Sequence, residues 1–183
     1  MNVQCSTLSS IAALSRKVKM NVATSSIAAA TLTGGVLGAA AIALLSAPSF
    51  ADAALNSEVT QSTINDTICA PGYSYTVRPP WYLSAKLKLQ LLNARGESWF
   101  DAPKYELDNI IPLCLGGSAT DPSNLQLQPW DEAYRKDRLE IQAMRCVCAG
   151  KVSLEEAQHD LATDWEAVYH RYAKLVCRRP TAN

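Results

Sequence analysis

The feature that most constrains the fold is an apolar run near the start of the chain, because it decides how many residues remain to form a domain. Residues 27–45 carry no charge and are rich in alanine and glycine, and three basic residues precede them. A positive segment, an apolar run and a small-x-small site together are typical of a secretory signal peptide. We assign residues 1–51 to a signal peptide, with cleavage after Ala51 or after Ala53.

The alternative is a single membrane anchor, because the run is nearly long enough to span a bilayer. Its glycines, its many alanines and the cleavage site that follows favour removal. We therefore expect an exported protein, secreted or periplasmic, with no stable membrane association after cleavage. The sequence leaves the oligomeric state open.

Length and charge bound what the exported part can be. Cleavage after Ala51 leaves 132 of the 183 residues, enough for one domain and too few for two. That part has 14 basic and 17 acidic residues, so its net charge is −3. A protein that holds nucleic acid through overall positive charge should be basic. Any contact with nucleic acid must therefore come from a local cluster of basic residues.

Five cysteines follow the signal peptide, at positions 69, 114, 146, 148 and 177. Export makes disulfides plausible, and five cysteines form at most two, which leaves one thiol over. Their pairing stays open. Cys146 and Cys148 have the wrong spacing for a zinc knuckle, and no second pair completes one. We interpret the cysteines as structural.

Periodicity and turn residues predict an α+β domain in which a helix is followed by an irregular hairpin and two further helices. Residues 52–68 form an irregular lead-in, 69–177 the domain and 178–183 a C-terminal tail. The predicted elements are an extended run at 74–78, a helix over 84–94 capped by Ser84, a strand over 105–113, a second strand over 125–128, a helix from Asp131 to about Cys148, and a helix that follows a capping box at Ser153 and ends near Val176.

The densest group of unusual polar residues lies at 105–138, where the predicted hairpin runs directly into a helix. That order is the plan of a ββα-metal site, in which the hairpin presents oxygen ligands and the helix closes the site. Asp108 is a hard oxygen donor suited to Mg²⁺. Asn124 can add an amide oxygen, or it can tie the long loop down through backbone hydrogen bonds.

Basic residues open the helix that follows the hairpin, at Arg135, Lys136 and Arg138. They can contact phosphates close to a metal bound by Asp108. The alternative is a solvated helix face, which is the common role of such a run. The spacing of these residues alone favours the solvated helix face.

A resemblance to a known family changes the balance between these two interpretations. YELDNIIPLCLGG at 105–117, NL at 124–125 and KDRLE at 136–140 resemble the signature of the HNH (His-Asn-His, ββα-metal) endonucleases. The chain is most similar to a secreted bacterial branch with the pattern Y-E-x-D-H-x-I-P-L-x-L-G-G…N-L…K-D-x-L-E. The residues on either side of this segment also resemble the family, and the resemblance runs from about Cys69 to Tyr172.

The resemblance implies metal-dependent hydrolysis of phosphodiester bonds in nucleic acid, with DNA as the expected partner. Asp108 would bind a divalent cation that polarises the phosphate, Mg²⁺ first and Mn²⁺ or Zn²⁺ as alternatives. Asn124 matches the central asparagine of the family, which positions the loop and in some relatives reaches the metal.

The catalytic histidine of the family, which takes a proton from the attacking water, is replaced by Asn109 in this chain. An amide orients a water molecule but does not deprotonate it, and loss of a positioned base lowers a rate by about 100- to 10,000-fold. His159 and His170 are the two histidines of the chain, and both fall on the last predicted helix. No sequence argument brings either of them to Asp108.

Three functions therefore remain in view. The first is an HNH-type endonuclease-like protein, weak or inactive because Asn109 replaces the base. The second is a catalytically silent exported HNH-fold protein that binds nucleic acid or another partner. The third is a structural domain held by disulfides and a helical core.

Overall fold

The structure is a computed structural model, and it describes Cys5 and residues 53–178. The apolar run at 27–45, the cleavage site after Ala51 and most of the C-terminal tail lie outside the described residues.

The described residues form an α+β domain, as the sequence predicts. It contains a two-stranded antiparallel sheet, four α-helices and short 3₁₀ segments. In chain order the helices and strands are α1 (Tyr73–Thr76), α2 (Trp81–Ala94), β1 (Tyr105–Asn109), β2 (Leu125–Pro129), α3 (Trp130–Cys148) and α4 (Leu154–Lys174). The 3₁₀ segments are Trp99–Lys104, Leu113–Leu115 and Pro122–Asn124.

Two local predictions at the start of the domain are wrong. The expected extended run at 74–78 is largely the short helix α1, which Gly72 opens in a left-handed conformation with φ of 84°. Helix α2 begins at Trp81 rather than at Ser84, because Pro80 has the extended backbone of an N-cap and the helix follows it directly. Ser84 lies buried inside that helix.

The first strand is shorter than predicted, ending at Asn109 instead of 113. Ile110 still donates its N–H to the carbonyl of Asn124, but the N–H of Ile111 donates to the Asn124 side chain at 2.8 Å. Pro112 follows and has no N–H to offer. The backbone hydrogen bonds between β1 and β2 therefore end at Ile111, where the Asn124 side chain takes the place of the partner strand.

The last two helices agree closely with prediction and make the main core. The Ser153 hydroxyl accepts the N–H of Glu156 at 3.0 Å, which is one of the two hydrogen bonds of the predicted capping box. Helix α4 bends at Asp164, whose carboxylate accepts the N–H of Ala167 and so caps the second half of the helix. The buried side chains between α3 and α4 include Leu139, Ala143, Val147, Ala157, Leu161 and Tyr172.

The lead-in at 53–68 has no helix or regular strand, but it packs on the domain. Val59 and Ile68 are buried in the same core as α3 and α4. Leu55 pairs with Gly117 in an isolated antiparallel bridge. A Cβ on Gly116 would lie 2.6 Å from Val59, so the loop after β1 and the lead-in are in close contact.

Three disulfides join the described cysteines, Cys69–Cys148, Cys146–Cys177 and Cys5–Cys114. The first two are the maximum that the sequence allowed within the exported part, and the third uses a cysteine of the predicted signal peptide. Three disulfides indicate that the protein folds in an oxidising compartment. They also confirm that the cysteines are structural.

None of the helices in the described part of the chain is long and apolar enough to cross a lipid bilayer.

Candidate functional site

The hairpin has one polar face and one apolar face, because side chains alternate along each strand. Glu106 pairs with Gln128 and Asp108 with Gln126, so four polar side chains share the face that meets α3. Leu107 pairs with Leu127 on the other face, and Leu127 packs against buried side chains of α2 and the 3₁₀ segment that follows it. The hairpin therefore packs against an apolar cluster on one face and a polar cluster on the other.

Lys136 lies at the centre of the polar face and is buried, with 1 % of its side chain exposed. Its ammonium lies 3.0 Å from Asp108 Oδ2 and donates to Glu140 Oε1 at 2.7 Å and to the carbonyl of Asn109 at 2.7 Å. Gln126 Nε2 donates to the same Asp108 oxygen at 2.9 Å. We call Lys136, Asp108, Glu140 and Gln126 the Lys136 cluster.

The ionisation of this cluster follows from its burial and its charges. Burial lowers the pKa of Lys136, but the adjacent carboxylates of Asp108 and Glu140 outweigh it and hold the pKa above its ordinary value. Burial raises the pKa of Glu140 in spite of the Lys136 ammonium. Lys136 therefore stays charged, and Glu140 accepts a proton more readily than an exposed glutamate does.

Glu106 lies beside the Lys136 cluster without a hydrogen bond of its own. It is 1 % exposed, and neither of its carboxylate oxygens has a hydrogen-bond partner among the described residues. Burial, followed by the charges of Asp137, Asp108 and Glu140, raises the pKa of Glu106 to about 9. At neutral pH this side chain is a neutral carboxylic acid, which makes its burial tolerable.

Sequence reasoning missed Glu106 and Glu140. The signal that would have found them is the alternation of polar residues in both strands, E-x-D and Q-x-Q, opposite a helix that carries K-x-x-x-E. Such a pattern places polar side chains on both sides of one interface. It predicts a buried polar cluster only once the hairpin is known to pack on that helix.

Asn124 ties down the loop between the strands, which was one of the two roles the sequence left open. Its Oδ1 accepts the N–H of Ile111, and its Nδ2 donates to the carbonyls of Ile111 and Ser118, both at 2.9 Å. A Cβ on Gly117 would lie 1.7 Å from the Ile111 carbonyl, so the backbone fits this loop only with glycine there. Asn124 is completely buried.

Asn109 is held in the same loop and is also completely buried. Its Nδ2 donates to the Ser118 carbonyl at 3.0 Å, and its own carbonyl accepts from Lys136. The Asn109 side chain is therefore an amide that binds the loop backbone.

The three basic residues predicted on α3 lie in different environments. Arg135 is exposed, forms a 2.8 Å salt bridge with Glu166 and stacks over the ring of Trp165. Arg138 is exposed, whereas Lys136 is buried in its cluster. The structure thus brings Lys136 to Asp108 and leaves the two arginines at the surface.

A cleft of about 220 Å³ reaches the polar face from outside. Gln126 and Gln128 of β2, Glu132 of α3 and the bend of α4 at Thr163 and Trp165 line it. Because Gln126 also donates to Asp108, this side chain belongs both to the lining of the cleft and to the Lys136 cluster. His159 lines a different pocket, at the start of α4, with Ser153 and Glu156.

The donor set around Asp108 does not fit the divalent metal that the resemblance implies. An ammonium already lies against the Asp108 carboxylate, and the Asn124 oxygen is used by the loop. In the described residues the one group of three candidate ligands is Cys5, Cys114 and Glu140, and its two sulfurs form a disulfide. We therefore derive no step through a metal.

Comparisons with protein-family models, with curated proteins and with solved structures match nothing.

Proposed function

We propose that the protein is an exported HNH-type, endonuclease-like domain that binds nucleic acid and hydrolyses phosphodiester bonds weakly or not at all. The observation that carries the proposal is the pair of residues at the end of β1. Asp108 is neutralised by a buried ammonium, and Asn109 presents an amide in place of the base. The order of hairpin and helix supports the resemblance, and both residues depart from what hydrolysis requires.

Of the two forms of this proposal, the catalytically silent one has the stronger support. Catalysis at Asp108 needs a bound cation and a base, and the described residues around it supply an ammonium and an amide. The weak-nuclease form of the proposal requires a divalent metal, which is Mg²⁺ or, in its place, Mn²⁺ or Zn²⁺. Export by a cleaved signal peptide is part of the same proposal. The Cys69–Cys148 and Cys146–Cys177 disulfides are compatible with cleavage, whereas the Cys5–Cys114 disulfide requires that Cys5 be retained.

The test compares the parent with Asn109→His, which restores the family base. Both proteins are incubated with plasmid DNA and Mg²⁺ or Mn²⁺, and nicked DNA is quantified over time. Asn93→His is the matched control, because it adds the same side chain at an exposed position of α2. Asp108→Asn in the Asn109→His background should remove any cleavage gained.

Each outcome separates one part of the proposal. Cleavage by Asn109→His and not by the parent shows that the missing base is the defect. Cleavage by neither assigns the loss to the surroundings of Asp108, where Lys136 lies. Cleavage by the parent at the rate of the variant contradicts the role assigned to Asn109. A parent that binds no nucleic acid at low salt contradicts the whole proposal.

A further inference from the structure

We draw no further inference here: the strongest candidate, the surface patch formed by the exposed rings of Trp81 and Tyr82 at the start of α2, carries none because nothing in the structure shows what covers it.

Discussion

The ammonium of Lys136 lies 3.0 Å from a carboxylate oxygen of Asp108, and both side chains are buried. A buried ion pair contributes little net stability when complete, but removal of one partner leaves a charge that nothing compensates. The relationship therefore has consequences for stability, pH dependence and metal binding.

Lys136→Met should destabilise the fold by about 3 to 5 kcal/mol, because Asp108 and Glu140 lose the ammonium between them. The measurement is the free energy of unfolding in urea. Arg135→Met is the control, since it breaks an exposed salt bridge with Glu166, for which the loss should be below about 1 kcal/mol. Equal effects in the two variants would show that the Lys136 cluster is not formed.

Glu106 should make the protein less stable as pH rises. Its pKa is about 9 in the folded state and near its ordinary value when unfolded, so the folded state holds a proton that the unfolded state releases. Stability is unaffected by this group below the unfolded pKa and falls as pH rises toward the folded pKa, with a limiting slope of about 1.4 kcal/mol per pH unit.

Glu106→Gln should remove that slope, so the variant gains stability over the parent from about pH 5 to about pH 8. Urea unfolding across this range measures the difference, and Glu58→Gln at an exposed position is the control. A parent and a variant with parallel pH profiles would mean that Glu106 is ionised in the folded state.

Asn124→Ala should cost roughly 3 kcal/mol, because it leaves the N–H and the carbonyl of Ile111 buried without their side-chain partner. Asn93→Ala, at an exposed site on α2, should cost little. Urea unfolding of both variants tests this, and a small effect at Asn124 would argue against its role in holding the loop.

The cysteines make a prediction that also tests export. A protein cleaved after Ala51 loses Cys5, so Cys114 should remain as a thiol. A thiol reagent should then find one reactive group per unfolded molecule. Peptide mapping without reduction should recover the Cys69–Cys148 and Cys146–Cys177 pairs. An unfolded chain with no reactive thiol would show that Cys5 is retained.

Much of the fold was predictable because its signals are local. The apolar faces of α3 and α4, the Ser153 cap and the alternation in β2 are all visible within a few residues of sequence. Helix α1 and the 3₁₀ segment Trp99–Lys104 were not predicted, since short segments of this kind depend on what packs around them.

The resemblance grouped three residues, and the structure brings them together at one end of the hairpin: Asp108, Asn109 and Asn124. Their role in a functional site stays a prediction. Lys136 was expected at the surface because lysine is rarely buried, and only its three partners in the folded chain explain its position. Those partners come from separate elements, so no local pattern identifies them.

The most direct test of the central claim is the ratio of nicking rates on plasmid DNA for Asn109→His and the parent, measured with the same preparation, metal and salt. In the weak-nuclease form of the proposal, restoring a positioned base predicts a rate at least about 100-fold above that of the parent, whereas in the silent form neither protein cleaves. A parent that cleaves as fast as the variant would contradict the claim that Asn109 disables this site.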